Sequence, residues 1–260
     1  MSENAINIKP VLDDYIKNVN IELKTRWNNW SKDLMDNSIY EVVGGILSRQ
    51  CSLVTHLAMN MNIWNEEIAP IILRTMADNH INLAWILINP KEHSEKFIIH
   101  GLGQLKLDLE HRKTNISQDY PEMEELLKQE EDFINSQKYT FLTNVNLGSW
   151  SGLNTRKMAE ESNLLDFYNY TYQPFSNCTH STWAHILKYN LRVSENPLHR
   201  FLKQPSMIDF SPHISYMETG AKYLEKSFRA FDDKYDLELK IESSFNKFIE
   251  DFNTKIEDNN

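Results

Sequence analysis

The chain has 260 residues, of which 41% are hydrophobic, and its six Trp, eleven Tyr and twelve Phe residues are enough to build one large core. It has only seven Gly and eight Pro, without the evenly spaced turn signals of a β-sandwich or barrel, so the composition favours helices. The 27 basic and 37 acidic residues give a net charge of −10, which argues against a protein that coats DNA but allows a local basic groove.

Two cysteines, Cys51 and Cys178, lie far apart in the sequence and outside any CxxC pattern. This usage is typical of small core side chains in a reducing compartment, and not of a disulfide framework or a zinc site. The N-terminus lacks a basic stretch followed by an apolar one, and no run of about 18 apolar residues occurs. We therefore expect a cytoplasmic protein that does not enter the membrane.

Two helices are predicted at the start of the chain. In the first, apolar residues recur at intervals of three and four and form one stripe: Ile16, Val19, Leu23, Trp27, Trp30 and Leu34. The second begins near Ser38, which has the spacing of a capping box with Glu41. We expect residues 1–37 to form an N-terminal amphipathic helix and residues 38–206 to form the core helical domain.

The segment 65–89 is the predicted centre of the fold. Nearly every position that can face a core is apolar, which indicates a helix buried on most sides. Pro70 either starts the regular part of this helix or kinks it. Arg74, Asp78 and His80 lie within the apolar run, and burying such groups costs several kcal/mol, roughly, unless partners are present. Arg74 and Asp78 have the i, i+4 spacing of an internal ion pair.

Four segments follow the central helix. Residues 91–113 are predicted to be helical, and residues 119–137 have the strongly acidic composition of a solvated helix. Residues 138–154 have loop character, with several Asn, Gly and Ser residues. Helix resumes over residues 155–165.

A polar stripe then appears in a segment that we also expect to be helical. Tyr168, Tyr172, Ser176 and His180 are spaced by four residues, so on a regular helix they share one face, which bends where Pro174 interrupts it. If this helix packs on the central one, an arginine, a carboxylate, a hydroxyl and an imidazole converge in a partly dry pocket. Such a pocket binds an anion or moves a proton.

The last parts of the chain are a basic segment and a helical pair. Residues 188–203 contain five basic or imidazole side chains and one glutamate: Lys188, Arg192, His199, Arg200, Lys203 and Glu195. Residues 207–260 carry two apolar stripes separated by the pair Asp232 and Asp233, which predicts a helical hairpin packed on the core or on a dimer partner. The predicted fold is thus all-α, a single-domain bundle of about eight or nine helices with a C-terminal hairpin.

Common catalytic motifs are missing. The sequence contains no P-loop, no GxGxxG, no HExxH and no GxSxG. The nine histidines do not form a compact ligand pattern, and His180 and His185 are five residues apart, which is poor spacing for two ligands on one helical face. We therefore expect neither a metal nor a cofactor.

Four blocks of sequence occur in a fixed order between residues 40 and 214: RQ (Arg49–Gln50), LRTMADNHINLAWIL (Leu73–Leu87), HGLGQLK (His100–Lys106) and WSGLNTRKMAEESNLLDFYNYTYQPFSNCTHST (Trp150–Thr182). In this order the chain resembles a bacterial helical family of unknown function, which has an arginine and an acidic residue in its central helix and a later Tyr, Ser and His segment. Here Asp78 follows Arg74 where that family has Glu, which shortens the reach of the carboxylate. The resemblance implies a helical fold and brings no established activity.

A second resemblance is to the HEPN ribonucleases, helical proteins of toxin and antiphage systems with a motif of arginine, four to six residues and histidine. Arg74 and His80, in RTMADNH, have this spacing. On an ideal helix the two side chains point about 120° apart, so they meet at RNA only through a kink or by pairing across a dimer. The resemblance implies that an imidazole moves the proton of a ribose 2′-hydroxyl while Arg74 stabilises charge on the phosphate.

Three hypotheses follow for function. The first is a metal-independent, HEPN-like endoribonuclease or toxin-like effector in antiphage defence, with a partner protein encoded nearby and a homodimeric state. Its catalytic residues are Arg74, His80, His180 and Asp78, and its RNA-binding residues are Tyr172, Ser176, Lys188, Arg192 and Arg200. The second is a non-catalytic helical module that binds a partner protein or a small anionic ligand through the same pocket. The third is a metal-dependent enzyme that uses His180 and Asp78.

Overall fold

The computed structural model describes residues 7–115, 121–137, 148–207 and 209–257. Its helices are α1 (Lys9–Asn29), α2 (Asn37–Met59), α3 (Ala69–Ile88), α4 (Pro90–Asn115), α5 (Pro121–Ser136), α6 (Thr155–Glu161), α7 (Leu165–Phe167), α8 (Gln173–Thr179), α9 (Trp183–Tyr189), α10 (Ser215–Tyr235) and α11 (Ser244–Glu257). A π-helix, Tyr168–Tyr172, joins α7 to α8, and a two-stranded antiparallel sheet pairs β1 (Leu191–Val193) with β2 (Lys203–Pro205). The predicted all-α, single-domain class is confirmed.

The central helix of the fold is α3. Pro70 lies in its first turn and so starts the helix, because a first-turn residue has no intrahelical acceptor for the N–H that proline lacks. Helices α2, α6, α8 and α10 pack around α3, and α4 follows it after Asn89. Most apolar side chains of α3 are buried, whereas Ile71 and Ile88 are exposed, and each buried one contributes about 1.5–3 kcal/mol to folding. The predicted burial of this segment on most sides is therefore confirmed.

The C-terminal hairpin packs on helices of its own chain. Helix α10 lies against α3 and α2, and α11 lies against α1 and α10. Gly220 makes the close approach of α10 feasible, since a Cβ atom at this position would lie 2.7 Å from Cδ2 of Leu57. Residues of the predicted N-terminal, core and C-terminal segments thus share one hydrophobic cluster.

The helix starts differ from the predictions. Helix α2 begins at Asn37, and no side chain caps it, so the predicted capping box of Ser38 and Glu41 is wrong. A short 3-10 turn runs directly into α2, and Asp33 caps that turn by accepting a hydrogen bond from the N–H of Met35 at 2.9 Å. Of the predicted loop 138–154, residues 138–147 lie outside the described residues.

Ion-paired side chains hold α1 to the C-terminal hairpin inside the core. Nε and Nη2 of Arg26 donate to Asp232 of α10 at 2.9 and 2.7 Å, and Nη1 donates to Glu22 at 3.2 Å. Glu22 also accepts a hydrogen bond of 3.0 Å from the N–H of Ser244, the first residue of α11. Burial raises the pKa of Glu22, and the hydrogen bonds from Ser244 and the charge of Arg26 oppose that shift.

Candidate functional site

Arg74 is the centre of a polar cluster between α3 and α8. Its Nη1 hydrogen-bonds Oδ2 of Asp78, one turn further along α3, and its Nε donates to Oγ of Ser176 at 2.9 Å. Within the described part of the chain, Nη2 of Arg74 donates no hydrogen bond. The Arg74 side chain is 10% exposed and that of Asp78 is 36% exposed, so the cluster reaches the surface at the carboxylate.

Tyr172 forms a second side of the cluster. The guanidinium carbon of Arg74 lies 3.1 Å from the centre of the Tyr172 ring, a cation–π contact. The other contacts of Tyr172 fix its ring, because its hydroxyl donates to Oγ1 of Thr155 at 3.3 Å and its ring stacks on Tyr168 with centroids 4.6 Å apart. Arg74 is therefore held by a carboxylate, a hydroxyl and an aromatic face, each from a different turn or helix.

The π-helix brings Tyr172 and Ser176 to Arg74. Tyr172 is its last residue, and Pro174 lies in the first turn of α8, where proline starts a helix. The regular helix predicted through this region is therefore wrong in detail, since an i→i+5 turn replaces part of it. Ser176 nevertheless lies one turn after Tyr172, and its Oγ donates to the Tyr172 carbonyl at 3.1 Å.

The charges of the cluster respond to burial. Burial raises the pKa of Asp78, while the charge and hydrogen bond of Arg74 and a hydrogen bond with Tyr172 oppose that shift. Burial also raises the pKa of Tyr172, so its phenol is neutral near pH 7. The cluster at neutral pH is thus a guanidinium beside one carboxylate and one uncharged phenol.

His80 lies in a different polar group. Its Nδ1 is 3.1 Å from Oγ of Ser227 on α10. Its ring centroid lies 5.0 Å from that of Phe167, and the two rings pack edge to face. Gln50 of α2 also donates to Oγ of Ser227, at 3.1 Å. Burial, with a smaller effect of Lys226, lowers the pKa of His80 to about 4. His80 is therefore a neutral buried imidazole that faces α10, whereas Arg74 faces α8.

The remaining predicted site residues are exposed. His180 ends α8, and its backbone N–H donates to the Ser176 carbonyl at 3.0 Å, which places it one turn beyond the serine. Lys188 lies in the last turn of α9, Arg192 lies on β1, and Arg200 lies in the loop between the two strands. The structure thus brings Arg74, Asp78, Tyr172 and Ser176 together, and it does not bring His80 to them.

Sequence analysis assigned no site role to four contributors to these groups, although it placed Tyr168 in the polar stripe and Gln50 in a family block. Thr155 and Tyr168 orient Tyr172, and Gln50 and Ser227 surround His80. Tyr168 shares the four-residue spacing of the polar stripe, and Gln50 is a polar residue on an otherwise apolar helical face, so both have a sequence signal. Thr155 and Ser227 have none, because their roles depend on which helices pack together.

A cavity of about 320 Å³ lies beside the cluster, one turn before Arg74 on α3. Its polar lining includes Glu66, Cys178, His185, Lys188 and Tyr216. Burial raises the pKa of the Cys178 thiol, which therefore stays protonated at neutral pH. In the described ranges of the chain, no three His, Cys, Asp or Glu side chains are grouped so that they could hold a metal ion.

These observations define an all-helical domain with a polar cluster centred on a buried arginine. The chain belongs to a family of unknown function, DUF5677, whose model matches residues 40–197, more than half of the chain. The resemblance to a helical family of unknown function is thereby confirmed. No curated protein and no solved structure matches the chain. Among the described helices, none has both the length and the apolar character needed to cross a membrane.

Proposed function

We propose that the protein is a non-catalytic helical module that binds an anionic group at Arg74. The observation that carries this proposal is the state of the guanidinium: Nε and Nη1 are held by Ser176 and Asp78, and Nη2 has no hydrogen-bond acceptor within the described part of the chain. The anion is a carboxylate, phosphate or sulfate of a small ligand, or an acidic group of a partner protein.

The geometry favours binding because the arginine is already oriented. A planar guanidinium recognises carboxylates and phosphates through two parallel hydrogen bonds, and an arginine fixed in advance loses little side-chain entropy on binding. The contact with Tyr172 and the hydrogen bond to Ser176 supply that fixation. An incoming anion competes with Asp78 for the same edge of the guanidinium.

Competition with Asp78 makes the affinity of Arg74 for an anion depend on pH. Burial raises the pKa of Asp78, so this carboxylate is easier to protonate than an exposed aspartate. Protonated Asp78 is a weak competitor for the guanidinium, and anion binding itself favours protonation. We expect sulfate, whose charge is constant over this range, to bind more tightly as the pH falls below neutral.

Sulfate titration by isothermal calorimetry and thermal unfolding tests the proposal. Wild-type protein is expected to gain thermal stability with sulfate, by RT ln(1 + [L]/Kd). Arg74→Lys keeps a positive charge but loses the planar fork, so the sulfate response should be lost. Ser176→Ala removes the acceptor of Nε and should weaken the response. The matched control is Arg49→Lys, a change at an exposed arginine on α2.

Two outcomes would contradict anion binding. An unchanged sulfate response in Arg74→Lys would move the binding site elsewhere. No response in wild type, combined with a large loss of stability in Arg74→Lys, would make Arg74 an internal anchor of α3 and α8.

A second candidate is the metal-independent, HEPN-like ribonuclease of antiphage defence. It is favoured by the exposure of His180, one turn beyond Ser176, because a general base must reach its substrate. In this candidate mechanism Arg74 stabilises charge on the phosphate while Asp78 holds Arg74 in place. Lys188, Arg192 and Arg200 contact the RNA backbone. The buried, neutral His80 would support the fold.

Incubation of purified protein with total RNA in EDTA tests this candidate. We expect cleavage by wild type, loss of cleavage in Arg74→Lys and His180→Ala, and retained cleavage in His80→Gln if that variant folds. The control is His56→Ala, a change at an exposed histidine on α2. Failure of wild type to cleave any RNA, or equal cleavage by all variants, would reject the candidate.

A further inference from the structure

The hairpin of β1 and β2 presents large apolar side chains to solvent. Phe201 is 97% exposed, Leu198 is 89% exposed and, just after β2, Met207 is 99% exposed. Within the described part of the chain, these side chains have no apolar side chain packed over them. Leu198 and Phe201 lie in the loop at the tip of the hairpin, and Met207 lies at its base, beyond the paired residues Leu191 and Pro205. Exposed apolar groups of this kind are typical of a surface that another macromolecule covers.

Basic side chains accompany the apolar ones at this tip. Arg200 directly precedes Phe201, and Lys203 directly follows Leu202, all of them exposed. Residues 188–203 carry four Lys or Arg and one Glu, in a protein whose net charge is −10. The hairpin is therefore a basic, apolar projection on an otherwise acidic molecule.

Helix α5 combines exposed apolar side chains with acidic ones. Its buried residues Leu127 and Ile134 pack with Leu109 of α4, yet Leu126 and Phe133, each one residue earlier, are 53% and 61% exposed. Because they are seven residues apart, Leu126 and Phe133 lie on one side of the helix.

Acidic residues flank this second apolar face. Glu125 directly precedes Leu126, and Asp132 directly precedes Phe133, and both acidic side chains are exposed. The α5 face thus repeats an acidic residue followed by an apolar one, whereas the hairpin pairs basic residues with apolar ones.

We propose that the hairpin of one molecule docks on the α5 face of a second copy of this chain. Phe201 and Leu198 would cover Leu126 and Phe133, and the basic residues of the hairpin would lie against the acidic residues of α5. The interface joins two different surfaces, so two reciprocal contacts give a closed dimer and a single contact gives a chain of molecules.

Charge complementarity favours a second copy over other occupants. Both halves of the interface, basic with apolar and acidic with apolar, are present on this one chain. RNA or an anionic membrane would match the basic hairpin, but either would repel the acidic remainder of the molecule and would leave the α5 face uncovered. Because the charges lie at an exposed rim, self-association should weaken as salt rises.

Sedimentation velocity of the full chain tests the proposal. Wild type is expected to self-associate as its concentration rises to about 100 µM. At that concentration, an interface with a Kd near 1 µM is formed by nearly all molecules. Phe201→Ser and Phe133→Ser should each weaken association by about tenfold or more, since each removes an apolar side chain from the interface. The matched control is Met35→Ser, which changes an exposed methionine far from both surfaces in sequence and should leave association unchanged.

A charge exchange gives the sharper test. Arg200→Glu and Asp132→Lys should each associate weakly alone, because each places like charges against one another. Mixed in equal amounts, the two variants should associate again, since the new glutamate of one meets the new lysine of the other.

Several outcomes would overturn the proposal. These are a wild type that stays monomeric at all concentrations, association unaffected by both serine variants, and a charge-exchange mixture no stronger than its components. Phe201-dependent binding of monomeric protein to single-stranded RNA, or to phosphatidylserine vesicles, would assign the hairpin to that other partner.

Discussion

The pH dependence of stability should reveal His80 as a buried, neutral side chain. Its pKa is lowered from 6.5 to about 4, chiefly because burial penalises the charged imidazolium. The folded protein therefore binds fewer protons than the unfolded chain between these two values. His80 therefore costs no stability above about pH 6.5, and the free energy of unfolding decreases as the pH falls from 6.5 towards 4.

The magnitude follows from the two pKa values. At about pH 5 the histidine of the unfolded chain is almost fully protonated, whereas that of the folded protein is almost fully neutral. This pH lies about 1.5 units below the pKa of the unfolded chain. At 1.36 kcal/mol per unit, wild type should lose about 2 kcal/mol from this residue between about pH 7.5 and pH 5. His80→Gln lacks a titrating group at this position and should lose about 2 kcal/mol less over the same interval.

Urea unfolding at a series of pH values measures this difference. We expect the two proteins to differ in stability at neutral pH, because His80→Gln also changes the contact with Ser227. The comparison is therefore between the slopes of unfolding free energy against pH, and not between absolute free energies. Parallel stability curves for the two proteins would refute the assignment of His80 as neutral and buried. They would also restore His80 as a candidate for proton transfer.

Two further pairs of substitutions probe the packing. Gly220→Ala should lower the free energy of unfolding by about 1–3 kcal/mol, because its Cβ would lie 2.7 Å from Leu57. Gly45→Ala has open space around the new Cβ and should raise the free energy of unfolding by about 0.5–1 kcal/mol. Urea unfolding measures both changes, and equal effects would contradict the close approach of α10. Arg26→Ala should cost about 3–5 kcal/mol, since it leaves Glu22 buried and unpaired. Adding Glu22→Gln should recover part of that loss in the same measurement, and no recovery would contradict the pairing.

The sequence was sufficient to predict the central helix and the main members of the site. Apolar periodicity identified α3, and the presence of Arg74 in such a helix required polar partners, two of which are Asp78 and Ser176. Spacing also predicted that Tyr172 and Ser176 share one face, and both side chains contact Arg74. These inferences succeed because each rests on local periodicity and on the cost of burying an unpaired charge.

The parts that could not be predicted depend on contacts between distant segments. The ion pair of Arg26 and Asp232 joins residues 206 positions apart, and no local pattern links them. His80 follows Arg74 by six residues, but Ser227 and Phe167 decide its environment, and both come from other helices. The small sheet at Leu191–Val193 also escaped prediction, because three-residue strands leave too short an alternation to recognise.

The five-residue π-helix at Tyr168–Tyr172 sets the rotational phase of everything that follows it. A π-turn is equivalent to one residue inserted into an α-helix, and each residue of an α-helix corresponds to about 100° of rotation. Wound as a regular α-helix, the same five residues would turn Ser176 by about that angle, away from the guanidinium of Arg74. The π-turn takes up this extra rotation, so Ser176 reaches Arg74 because one helical turn in this segment holds one residue more than its neighbours.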